Sequence, residues 1–188
     1  EVIVDSVTDM LTDQTFHLDV IPAHSAFEAD CSKIKVDLQK LLQLTELVTD
    51  DLKLTITVHG EQVFEDVREI TLFAFDQWSG EPALLASFVT PNDPSLSHVI
   101  INASKYLKEW TGSSAFDEYQ SDDPHRVRLQ AAALYRALKE ENVHYISAPA
   151  SFGPGQRIRM VSSVLSDHLA TCLDFSLAYA SLLEAVGI

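Results

Sequence analysis

"TCLDFSLAYASLLEAVGI", residues 171–188, sets a cysteine beside a threonine at the head of an almost wholly apolar stretch. Leu173, Phe175, Leu177, Ala178, Tyr179, Ala180, Leu182, Leu183, Ala185 and Val186 leave few polar positions. That pattern predicts a helix central to its domain, starting at Cys172 and stopped by Gly187. Thr171 is the expected cap. The unpaired N–H groups and positive dipole end of such a start stabilise a thiolate at Cys172. Two readings stay open. A nucleophile here needs a His to take its proton and an Asp or Asn to orient that His. A structural cysteine needs neither, and free Cys is among the most often buried residues.

Two more helices are expected upstream. In "TPNDPSLSHVIINASKYLKEW" (90–110), Asp93 is placed to cap and Pro94 to fill the first turn, where its missing N–H costs nothing. Leu96, Val99, Ile100, Ala103, Leu107 and Trp110 recur at three and four and form one face. "DDPHRVRLQAAALYRALKEEN" (122–142) repeats the device with Asp123 and Pro124. Its predicted buried stripe is Val127, Ala131, Leu134 and Leu138, with Arg126, Arg128, Gln130, Arg136 and Lys139 facing elsewhere. "TGSSAFDEYQS" (111–121) connects the two. Residues 143–149 read as a short extended piece limited by Pro149. Gly153, Pro154 and Gly155 read as a turn, and "SSVLSDHL" (162–169) as a short helix capped by Ser162 or Ser163.

The first half has the other periodicity. Residues 15–23, Lys53–His59 and Glu69–Phe75 alternate as strands do, with a turn at "HGEQ" (59–62) around Gly60. The Leu-rich segment 38–48 fits a strand or a short helix. Trp78, Ser79 and Gly80 read as a strand running into a turn. The expected fold is α+β: a sandwich-like β-rich domain over 1–90, each sheet burying one face, then a mainly helical domain over 91–188.

Charge and composition narrow the function. The 188 residues are 46% hydrophobic, enough for a real core, and carry 28 acidic against 13 basic side chains, a net of −15. Residues 1–90 hold a net of −12 and residues 91–188 a net of −3. Direct binding to nucleic acid or to an anionic membrane is therefore disfavoured. No apolar run has transmembrane length and no secretory leader pattern appears, so a soluble, cytoplasmic protein is expected. Cys31 and Cys172 form no CxxC pattern and are expected as two free thiols, with no cofactor or metal. The start away from Met and the end inside a helix suggest a fragment.

Other side chains are weighed against the same chemistry. Gln156, in a Gly-rich loop, either donates to a developing oxyanion or stabilises its loop. His168 lies four residues before Cys172 and either faces solvent or joins the chemistry. Arg157 and Arg159 flank Ile158 as an exposed strand face would, with Asp167 or Asp174 as salt-bridge partners; without a Gly-Lys-Ser/Thr motif, phosphate binding is the weaker reading.

"TCLDFSLAYASLLEAVGI" resembles the Cys-helix signature of the transglutaminase-like, papain-related superfamily. "FDQWSG", "LLASFVTPND", "RVRLQAAALYRAL" and "HYISAPASFGPGQRIRM" extend that resemblance to large bacterial proteins that join such a module to superfamily 1 helicase-type and nuclease-like regions. The resemblance implies that residues 91–188 are the helical front half of a transglutaminase-like domain. It also implies that Cys172 is its catalytic-type cysteine, flanked by Thr171 and Asp174. Members usually carry Gly where this chain has Ala170. In the superfamily the His and Asp follow the Cys helix, so they are expected beyond Ile188. The expectation is a non-catalytic binding or scaffold piece with a buried Cys172, partnered by a protein, a peptide or other domains of its parent chain. The alternative is part of a peptidase, amidase or acyltransferase. Without the later strands, one flank of the Cys172 helix is expected to be exposed and to self-associate.

Overall fold

The structure, a computed structural model, describes residues 1–188 other than 19, 21, 23, 27, 29, 31, 33, 118, 121 and 149–154. Cys31, Pro149 and the Gly153–Pro154 part of the expected turn lie outside the described residues. The chain is mixed α and β, and divides into two units, Glu1–Phe75 and Asp76–Ile188. The boundary falls earlier than position 90, because Gln77 and Trp78 pair with Arg157 and Gln156 and so belong to the second unit.

The first unit is built on one antiparallel sheet of order β2-β1-β3-β4, from β1 (Val2–Ser6), β2 (Gln14–Phe16), β3 (Val48–Val58) and β4 (Glu61–Leu72). β3 and β4 form a hairpin. His59 and Gly60 both take positive φ, 55° and 84°, as a two-residue turn matching strand twist requires. Side chains alternate across the sheet. Val4 and Ser6 of β1 and Asp50 of β3 are buried on one face. The Asp50 carboxylate is satisfied there by Thr8 N–H at 3.2 Å, Thr8 Oγ1 at 2.8 Å and Asp51 N–H at 2.8 Å. The expected sandwich is corrected: among the described residues this unit has a single sheet. The Leu-rich segment supplies no strand to a second layer, because Asp37 caps a short helix, α1 (Leu38–Leu41), through the N–H groups of Gln39 and Lys40.

The second unit packs helices around the C-terminal one. After the short strand β5 (Gln77–Trp78) and a 3₁₀ turn at Pro82–Phe88 come α2 (Leu96–Thr111) and α3 (Pro124–Glu140). Then follow β6 (His144–Tyr145), β7 (Gln156–Arg157), α4 (Val161–Asp167), β8 (Leu169–Ala170) and α5 (Cys172–Ala185). β5 pairs antiparallel with β7, and β6 pairs parallel with β8. Leu96, Val99, Ala103 and Leu107 of α2 meet Ala133, Leu134, Ala137 and Leu138 of α3, with Val164 of α4 and Ala178 and Leu182 of α5. A second cluster joins Leu177 of α5 to Phe88 and Ile158. α5 is thus buried on two sides, which is why its sequence is apolar nearly all round.

Three local expectations are corrected. α2 starts at Leu96, since Asp93 turns its carboxylate onto the N–H and hydroxyl of Ser95 and closes a preceding turn. α4 starts at Val161 after Met160, so Ser162 and Ser163 lie inside it and neither caps it. In α3, Asp123 and Pro124 open the helix as expected, but the buried stripe is rotated to include Gln130. The Gln130 amide is buried because it donates to Asp117 at 2.8 Å. Arg126 reaches the same Asp117, Thr111 Oγ1 and the Ala115 carbonyl, tying the α2–α3 connection to α3. The expected exposed flank of α5 is seen only in part: Cys172, Ser176 and Glu184 are the exposed residues of that helix, Leu177, Ala178 and Leu182 are buried, and Leu173, Phe175, Tyr179 and Leu183 are partly buried.

Candidate active site around Cys172

Cys172 is the first residue of α5, and a capping box fixes that start. Thr171, extended at φ −77° and ψ 173°, accepts the Asp174 N–H on its hydroxyl at 3.1 Å. Asp174 returns the bond, accepting the Thr171 N–H at 2.8 Å. A helix start leaves four N–H groups without intrahelical partners. The box uses those of Thr171 and Asp174, and those of Cys172 and Leu173, beside the thiol, meet no acceptor among the described residues.

Asp174 is fully buried and holds a second element. Its carboxylate accepts the Arg159 N–H at 3.0 Å and faces the Arg159 guanidinium at 3.5 Å. Of the two salt-bridge partners expected for the arginines, Asp174 is therefore met by Arg159. Arg157 turns instead to Asp76. These contacts pin the β7–α4 segment to the head of α5.

The thiol itself is exposed and free. The expectation of a buried Cys172 is corrected, for the physical reason that the first residue of a helix extends past the packing that buries the next turn. Cys172 lines a cavity of about 330 Å³ together with Val143, His144, Tyr145, Ala170, Thr171 and Phe175. The walls come from β6, from β8 and from the first turn of α5. Pairing of Tyr145 with Ala170, and the bond from Ile146 N–H to the Ala170 carbonyl at 3.0 Å, bring β6 to the thiol.

Gln156 stands on β7 with its amide 3.5 Å from Thr171 Oγ1, one residue from Cys172 and outside the cavity's lining. His168 does not join them. It closes α4 in the left-handed conformation at φ 54°, and its Nδ1 lies 2.7 Å from the Glu141 carbonyl. His144 and Tyr145 were not singled out by sequence: the extended reading of 143–149 located their strand, but its parallel pairing with β8, which no local pattern announces, puts them beside Cys172.

Among the described residues no group of three or more His, Cys, Asp or Glu side chains is arranged to hold a metal ion. Nor is any helix long and apolar enough to cross a membrane. No protein-family model, characterised protein or solved structure matches the chain.

Proposed function

We propose that the second unit carries the nucleophile of a cysteine-dependent acyl transfer of the transglutaminase-like, papain-related kind. The Cys172 sulfur attacks the carbonyl carbon of an amide or peptide, the C–N bond breaks, and a thioester remains. The thiol proton passes to a base and on to the departing amine. By the resemblance that base is a His on strands following the Cys helix. The free N–H groups of Cys172 and Leu173, with the Gln156 amide nearby, are the donors available to an oxyanion.

The observation that carries this reading is an exposed cysteine on a cavity wall, at a helix start whose capping box leaves its own N–H unused. The test is acylation by p-nitrophenyl acetate, followed by intact mass and peptide mapping. A thioester on Cys172 is expected, absent from Cys172→Ala. Labelling of the folded chain no faster than that of the urea-unfolded chain would instead assign the unit to binding or scaffolding within a larger bacterial protein.

A further inference from the structure

The two edges of the first unit's sheet are unlike. β2 offers three residues, Gln14–Phe16. β4 is long, and from Phe64 to Leu72 it pairs one for one with Ile56 back to Val48, the register shift lying beyond at Ile56/Thr57. Among the described residues its other side is the sheet's outer edge. An edge this regular is a template for another strand unless something blunts it. Phe64 and Val67 remain 46% and 48% exposed along it.

Charge decides which strand fits. The edge carries Glu65, Asp66 and Glu69 against one cation, Arg68. Asp66 holds Arg68 at 2.7 Å, and Glu65 holds Lys53 of β3 at 3.2 Å. Glu69 sits directly opposite Asp51 of β3. Like charges in that position oppose strand pairing. Among the described residues neither carboxylate forms a salt bridge. A second copy of β4 would add further acid to this surface, so self-pairing is disfavoured. A strand bearing Lys or Arg would place a cation beside Glu69, on the face that Glu69 shares with Asp51 one strand further in, and weaken the repulsion between the two.

We propose that Phe64–Leu72 is a docking edge for an extended, basic segment of a partner protein, one that alternates Lys or Arg with apolar residues. Main-chain hydrogen bonds to β4 supply the attachment and the Asp51–Glu69 pair supplies the selection. This inference is independent of the chemistry at Cys172.

The test uses the full chain and two blocked octapeptide probes, one alternating Lys and Val, the other Glu and Val. Amide hydrogen exchange is read with and without each. The Lys–Val probe is expected to slow exchange within Phe64–Leu72, with affinity falling as salt rises. Glu69→Lys is expected to weaken it about three- to tenfold, while Glu184→Lys, with the same net charge, leaves it unchanged. Equal binding of the Glu–Val probe, protection spread over other acidic surfaces, or equal loss in both variants would overturn the proposal.

Discussion

Asp174 and Arg159 are joined twice, through the Arg159 backbone N–H at 3.0 Å and its guanidinium at 3.5 Å, with the carboxylate wholly buried. The same carboxylate takes the Thr171 N–H. One side chain thus sets both the start of α5 and the segment that precedes α4.

Removing it strips acceptors from two backbone N–H groups and leaves a mostly buried guanidinium without its charge partner. Asp174→Ala is expected to lower stability by about 3 kcal/mol. Asp174→Asn keeps one acceptor oxygen and is expected to cost about half as much. Urea unfolding followed by far-UV circular dichroism measures both; equal loss in the two variants would show that the acceptor oxygen kept by Asn adds nothing once the charge is gone.

Gly155 has no room for a side chain. A Cβ there would lie 1.7 Å from the Trp78 carbonyl oxygen, and its φ of 86° already favours glycine. Gly155→Ala is expected to separate β5 from β7 and to cost more than about 2 kcal/mol. Gly112 has a similar φ of 80° but open space, so Gly112→Ala is expected to cost about 1 kcal/mol. Trp78 fluorescence should shift in the first variant and stay in the second.

Among the described residues, Arg126→Met leaves the Asp117 carboxylate with the Gln130 amide alone and frees the Ala115 carbonyl. A loss of about 2–3 kcal/mol is expected, along with faster proteolysis between Thr111 and Asp123. Cleavage rates identical to the parent chain would show that the connection is held by other contacts.

Alkali should weaken the second unit through Tyr179. Burial, and after it the neighbouring Tyr135, pushes the Tyr179 phenol above its ordinary value of 10.0. The folded state therefore holds that proton more tightly than the unfolded chain. Its stabilising effect is complete below pH 10 and is lost as pH rises through the folded value. Tyr179 Oη also donates to the Ala131 carbonyl at 3.0 Å. Tyr179→Phe should lose about 1 kcal/mol at neutral pH and show a shallower decline above pH 10 in urea midpoints taken across that range.

What sequence revealed here follows the range of the interactions. The helix from Cys172, its Thr171 cap, the Asp123–Pro124 start and the Gly60 turn are set by neighbours within a few residues, and each is where local chemistry puts it. Gln130 shows the limit: its polarity argued for solvent, and only Asp117 across a connection makes burial affordable. The sandwich failed for a related reason, since alternation shows that a strand has two faces but not what covers them. At the site, Cys172 and Asp174 were legible because they lie within one turn of helix. His144 and Tyr145 were not, because they form β6, which comes beside Cys172 through pairing with β8 across more than twenty residues.

Thr90 gives its N–H to Ser181 Oγ at 2.9 Å, and Gln77 and Trp78 pair with Arg157 and Gln156. Beyond its own local turns, the opening segment of the second unit is therefore held, among the described residues, by segments from Gln156 onward. During synthesis α2 and α3 emerge with their mutual contacts already at hand, whereas residues 77–90 wait for partners made seventy or more residues later. A pause in translation before Gln156 would leave both contacts unmade, and one between Arg157 and Ser181 would leave the Thr90 N–H still without its acceptor.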